Sequence, residues 1–157
     1  ASMTYAKTVA SMVSSNLTGW ARKVLVCDLD NTLLGGVIGD DGSDGILVGD
    51  ENGFASIFGE LQRYIRALRQ RGIILAISSK NDYEVAIDGL RQDKSILKPE
   101  DFAAIEANWG PKSNAMKTIA QSLNVGIDSM VLLDDNPAER AEVSLNAKGV
   151  VVLELGD

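Results

Sequence analysis

The feature that most constrains this chain is the spacing of its apolar runs. Short, predominantly apolar runs fall at residues 23–27, 73–77, 102–105, 129–133 and 150–153, and stretches of helical periodicity separate most of them. A run of four or five residues with no polar alternation is a strand buried on both faces, and strands that alternate with helices lie parallel. The fold class expected is α/β: a three-layer, doubly wound, Rossmann-like parallel sheet of about five strands. Residues 54–70 carry Ile57, Leu61, Tyr64, Ile65 and Leu68 at helical spacing, and Gly72 is suited to close that helix. Asn81 or Asp82 can cap a helix running to about residue 91, and further helices are expected at 111–123 and 137–145. Between the first strand and the first long helix, residues 35–53 hold seven glycines with two short apolar patches. That composition reads as a small β-hairpin flap, and no insertion is long enough for a large cap domain. Residues 1–19, rich in Ser, Thr and Ala, read as a lead-in or linker from a longer polypeptide, with the catalytic domain over 20–157.

Composition narrows the chemistry. The chain has 157 residues, a single cysteine (Cys27) and no histidine. A disulfide framework and a cysteine-rich zinc site are therefore excluded, as is imidazole catalysis. A formal charge of −7 argues against a nucleic-acid partner, because phosphate-backbone affinity is carried by Lys and Arg. It leaves room for a phosphorylated substrate if carboxylates recruit a hard cation. No apolar stretch approaches the length of a membrane span and no signal-like N-terminus is visible, so a cytoplasmic protein is expected.

In a doubly wound sheet, ligands bind where the strands end. Asp28-Leu29-Asp30-Asn31-Thr32 follows the first apolar run, Ser78-Ser79-Lys80-Asn81 the second and Asp134-Asp135-Asn136-Pro137 the fourth, while Lys112 opens the helix before that fourth run. Taken singly, an Asp at a strand end is most often a turn or cap residue, and Lys112 a solvated side chain. Taken together they bring four carboxylates, hydroxyls and a lysine to one edge. Like charges that close repel unless they share a proton or a cation, and an all-oxygen set suits Mg²⁺.

This order of motifs resembles the haloacid dehalogenase (HAD) superfamily, whose members are mostly Mg²⁺-dependent phosphoryl-transfer enzymes. A finer resemblance is carried by Asp28 to Leu33, Gly35-Gly36-Val37-Ile38-Gly39-Asp40-Asp41-Gly42, Ser79-Lys80-Asn81-Asp82 and Asp134-Asp135-Asn136-Pro137-Ala138-Glu139-Arg140. These strings are similar to the FkbH-like domains of polyketide biosynthesis. Those domains take a glyceryl unit from 1,3-bisphosphoglycerate, release phosphate and pass the acyl group to an acyl carrier protein. The resemblance implies Asp28 as nucleophile and metal ligand, and Asp30 as acid/base and, through its carbonyl, metal ligand. It also implies Asp134 and Asp135 at the metal, Ser79 on the phosphoryl group and Lys112 neutralising charge. A receiver domain is disfavoured, since there the acidic pair comes first and the lysine last. A HAD-type phosphatase acting on another small phosphorylated metabolite remains the alternative.

Three features sit less easily in that pattern. Cys27 adjoins Asp28 and could carry an acyl thioester, but alternation along a strand turns its sulfur to the opposite face, as for a small core residue. Leu34 stands where the FkbH-like string usually has Trp, which implies an altered wall of the substrate pocket. Arg63, Arg66, Arg69 and Arg71 share one helix; a solvated face accounts for them, and a docking patch for an acidic carrier is the sharper reading.

Overall fold

A computed structural model describes residues 2–17, 22–35 and 53–155. In chain order these form α1 (Ser2–Asn16), β1 (Val24–Cys27), α2 (Gly53–Gln70), β2 (Ile74–Ser79), α3 (Tyr83–Arg91), β3 (Ala104–Ala107), α4 (Lys112–Leu123), β4 (Met130–Leu133), α5 (Pro137–Asn146) and β5 (Val151–Val152). Short 3₁₀ turns at Pro99–Asp101 and Ile127–Ser129 lead into β3 and β4. The expected flap at 35–53 lies outside the described residues, apart from Gly35 and the start of α2 at Gly53.

The five strands form one parallel sheet in the order β3-β2-β1-β4-β5. The chain steps outward from β1 to β2 and β3, then crosses back to lay β4 on the other side of β1. The reversal opens a crevice at the carboxyl ends of β1 and β4. Register sets the two ends level: Cys27 pairs with Leu133, and the Asp28 N–H donates to the Leu133 carbonyl at 2.8 Å. Asp28 and Asp134 therefore leave the sheet side by side.

Alternation along the strands divides the core in two. Leu25, Cys27, Leu75, Ile77, Val131 and Leu133 face one side, covered by Val9 and Val13 of α1, Leu61, Ile65 and Leu68 of α2, and Ala86 and Leu90 of α3. Val24, Val26, Ala76, Met130 and Leu132 face the other, under Met116 and Ile119 of α4 and Val143 of α5. Residues 2–16, read from sequence as a lead-in, are helical, and Val9, Val13 and the following Leu17 are buried in the first cluster. Helix α2 ends as its sequence signals: Gly72 adopts φ +102°, and the Ile73 N–H returns to the Leu68 carbonyl at 3.1 Å.

One buried side chain ties three segments together. The amide of Gln62 on α2 donates to the Leu33 carbonyl at 2.8 Å and accepts from the N–H groups of Ile96 and Leu97, both at 2.9 Å. It thereby fixes the loop after β1, which carries the site, to the strap before β3. Gln62→Leu removes every one of these partners while keeping the volume. It should destabilise the fold by about 3 kcal/mol, since buried backbone groups left unpaired cost about 1–3 kcal/mol each. Urea denaturation with an unchanged midpoint would show that the bonds contribute nothing net.

Candidate active site

The loop after β1 turns sharply so that alternate residues serve different ends. Asn31 takes a left-handed conformation (φ 56°), which Asn tolerates, and its N–H donates to the Leu34 carbonyl at 2.7 Å. Leu29, Leu33 and Leu34 are buried in the first core cluster and hold the turn down, leaving Asp28, Asp30 and Asn31 along a pocket of about 200 Å³. Lys80, Lys112, Asp134, Asp135, Asn136 and Glu139 complete its lining. Leu34 is thus a core residue and does not line this pocket; its place in the turn points it into the layer under α1 and α2.

The centre of the pocket is a lysine between two carboxylates. Lys112 Nζ lies 2.8 Å from Asp28 Oδ1 and 2.6 Å from Asp134 Oδ2, with all three residues buried. Oxygens of Asp28, Asp134 and Asp135 lie within 4.8 Å of one another. One ammonium cannot neutralise three carboxylates. Burial accordingly raises the Asp28 carboxyl well above the usual carboxylate range; Lys112 pulls it back and the Asp134 charge pushes it up again, with burial prevailing. For Lys112, burial opposes the charge, but Asp28 and Asp134 outweigh it and hold the ammonium above the ordinary lysine value. The surplus negative charge and the all-oxygen donor set fit a hard divalent cation held by Asp28, Asp134 and Asp135.

Other groups position this centre. Thr32 Oγ1 lies 3.4 Å from Asp28 Oδ2 and 3.3 Å from Asp135 Oδ1, so its single proton serves one carboxylate at a time. The Asn136 N–H donates to Asp134 Oδ1 at 2.9 Å, and the buried Arg140 donates to the Asp134 carbonyl at 3.0 Å. Asp30 stands apart from the converging trio: its Oδ2 accepts from Asn81 Nδ2 at 3.0 Å, and the same amide donates to Ser79 Oγ at 2.8 Å. Ser79 and Asn81 are both buried, and neither is part of the pocket lining. Cys27 is fully buried on the opposite face of the sheet, where burial first and the Asp28 charge second push its thiol far above the ordinary value. The sequence reading thus located Asp28, Asp30, Lys112, Asp134 and Asp135 at one pocket, while Ser79 adjoins it through Asn81 and Cys27 lies beneath it.

It missed the supports. Asn81 was read only as a candidate helix cap, Glu139 and Arg140 stood in the quoted motifs without roles, and Glu142 had no signal at all. Helix α4 begins at Lys112 with Pro111 at its cap position, which supplies no capping side chain. Glu142 of α5 takes that part, accepting from the Ser113 N–H at 2.9 Å and from Ser113 Oγ at 2.5 Å. Partial burial acts to raise the Glu142 pKa, but the Ser113 bonds outweigh it and leave the carboxyl below its ordinary value. A depressed folded-state pKa means stability present above the unfolded value, about 4.3 for Glu, and lost as pH falls through the folded one. Wild-type protein should therefore exceed Glu142→Gln in stability at pH 7, with the gap closing below about pH 4. A gap in thermal midpoint that does not change with pH would refute the charged cap.

No protein-family model matches the sequence, and no curated protein matches it. Solved structures do. The N-terminal part of the protein BF1531 from Bacteroides fragilis, which contains a phosphatase domain and is complexed with Mg, is similar over 96% of this chain at 42% identity and TM-score 0.85. This chain spans 40% of that one. A HAD family enzyme from Bacteroides thetaiotaomicron, complexed with magnesium and inorganic phosphate, matches over 87% of this chain at 11% identity and TM-score 0.53, which is a likeness of fold. A mutant of that enzyme, with the same ligands, matches at TM-score 0.54. The neighbours of this chain thus include a phosphatase domain complexed with Mg and, by likeness of fold alone, a HAD family enzyme complexed with magnesium and inorganic phosphate.

Proposed function

We propose that this domain is a Mg²⁺-dependent phosphoryl-transfer enzyme whose nucleophile is Asp28. The observation that carries the reading is the buried Lys112 bridging Asp28 and Asp134 at 2.8 and 2.6 Å, with Asp135 converging on the same point. Magnesium held by Asp28, Asp134 and Asp135 supplies charge neutralisation, so that an anionic substrate can approach a carboxylate. Lys112 is held at Asp28 and serves the same electrostatic end on the phosphoryl oxygens. An Asp28 oxygen forms the new bond to phosphorus as the bond from phosphorus to the leaving oxygen breaks. Asp30, kept in place by Asn81, gives its proton to that leaving oxygen. Water then gives a proton back to Asp30 as its oxygen bonds phosphorus, and the bond from phosphorus to the Asp28 oxygen breaks to release phosphate.

Within that chemistry the finer reading is the FkbH-like one. Asp28 takes the phosphoryl group from the C3 ester of 1,3-bisphosphoglycerate, while the thiolate of an acyl carrier protein attacks the C1 carbonyl carbon. The acyl C–O bond to the C1 phosphate breaks, so that phosphate leaves and the glyceryl unit is held as the carrier's thioester. The motif strings around Asp28, Ser79 and Asp134 support it. The burial of Cys27 favours direct transfer to the carrier over a Cys27 thioester, because the thiol faces the core and its thiolate is disfavoured. Simple hydrolysis of another small phosphorylated metabolite is the second reading, favoured by the likeness to a phosphatase domain.

Asp28→Asn should abolish phosphate release and Lys112→Met should lower kcat by about 10²–10³-fold, as losses of electrostatic stabilisation do. Chelation of Mg²⁺ should silence wild type reversibly. Near-normal turnover by Asp28→Asn would overturn the nucleophile. Intact-mass measurement of a carrier protein incubated with the domain, Mg²⁺ and 1,3-bisphosphoglycerate separates the two readings. A glyceryl increment that persists in Cys27→Ala is expected; free phosphate with an unmodified carrier would leave the phosphatase, and loss of the increment on Cys27→Ala would restore the thioester.

A further inference from the structure

Among the described residues, one buried side-chain oxygen or nitrogen lacks a hydrogen-bond partner: Glu139 Oε2. Buried polar atoms in folded proteins are nearly always paired with protein or water, so an orphan in a pocket wall is a place that takes up a donor from solvent or ligand. Glu139 sits in the first turn of α5 and lines the pocket. It is not one of the carboxylates that converge on the metal locus, which are Asp28, Asp134 and Asp135. Its other oxygen, Oε1, is held by Lys80 Nζ at 3.0 Å. Lys80 follows β2 and also lines the pocket, with 38% of its side chain exposed.

The pair therefore offers an acceptor without a donor beside an ammonium with N–H groups to spare. A substrate phosphate would meet repulsion at Glu139, and a substrate amine would meet it at Lys80. A hydroxyl suits both, since it donates to a carboxylate and accepts from an ammonium. Lys112 is engaged by Asp28 and Asp134, so Lys80 is the lining cation left for the part of the substrate beyond phosphorus. Residues 36–52 carry no Lys or Arg. We infer that Lys80 and Glu139 form a clasp that reads a hydroxyl on the non-phosphoryl part of the substrate, the hydroxyl donating to Glu139 Oε2. The inference rests on the proposed phosphoryl chemistry for its substrate class and makes Glu139 a specificity-determining residue.

A matched pair of phosphate monoesters tests it: 2-hydroxypropyl phosphate and propyl phosphate, identical but for the hydroxyl. A site built to bond a hydroxyl discriminates strongly against the analogue lacking it. Wild type with Mg²⁺ should favour the hydroxylated ester at least about tenfold in kcat/KM. Glu139→Gln places a donor where the acceptor was, and should bring the ratio to within about twofold of unity, as should Lys80→Met. Calorimetric binding of the same two esters is read in parallel. Turnover of neither ester with the binding preference intact would overturn the hydrolytic reading and leave the clasp standing. A wild-type ratio near one, binding of neither ester, or a preference that survives Glu139→Gln would each overturn the clasp. The wild-type ratio needs no variant to fold.

Discussion

A single buried ammonium organises the site end of this molecule. Lys112 reaches from the first turn of α4 to carboxylates that end two neighbouring strands, at 2.8 and 2.6 Å. That contact requires β1 and β4 to be adjacent and level, α4 to begin at the sheet's carboxyl edge, and both Asp side chains to turn toward the α4 layer. Alternation meets the last demand: Val24 and Val26 face α4 and α5, so Asp28 follows them to that side while Cys27 faces the other. The same geometry concentrates more negative charge than the lysine can offset. Such a surplus costs stability, and a cation relieves it; here the local electrostatics of the fold and the need for metal have one cause.

Around this centre lies a set of ties, several of them between parts of the chain distant in sequence. Gln62 fastens the loop after β1 to the strap before β3, Asn81 links Asp30 to Ser79, and Glu142 caps the helix that presents Lys112. Arg140 binds the carbonyl of Asp134 from within α5. Each tie satisfies a backbone or carboxylate group that burial would otherwise leave bare, and each limits the freedom of a group at or beside the pocket. Preorganisation of this kind is where enzymes of electrostatic mechanism draw most of their rate.

Much of the site was legible before the structure because a parallel sheet converts linear spacing into spatial convergence. Apolar runs marked the strands, and whatever followed each run had to gather at one edge. Asp28, Asp134 and Lys112 were found in that way. Ser79 shows where the rule runs out: it closes β2 as expected, yet its hydroxyl is buried and accepts from Asn81, outside the pocket lining, and nothing in the order of residues says which polar side chain at a strand end reaches the pocket. Leu34 likewise looked like a pocket wall from its place in a motif, whereas the turn at Asn31 folds it into the core.

The parallel sheet of about five strands, its three layers and the gathering of acidic residues at one edge were written in residue type and periodicity, since burial on two faces and like-charge repulsion act on any chain with this pattern; the strand order came from the structure. The helical packing of residues 2–16 onto the core, the capping of α4 by Glu142 and the orphan oxygen of Glu139 were decided by tertiary structure alone. Each depends on which side chains from remote segments arrive at the same point, and on the direction they face there. No local propensity encodes that; only the packed fold does.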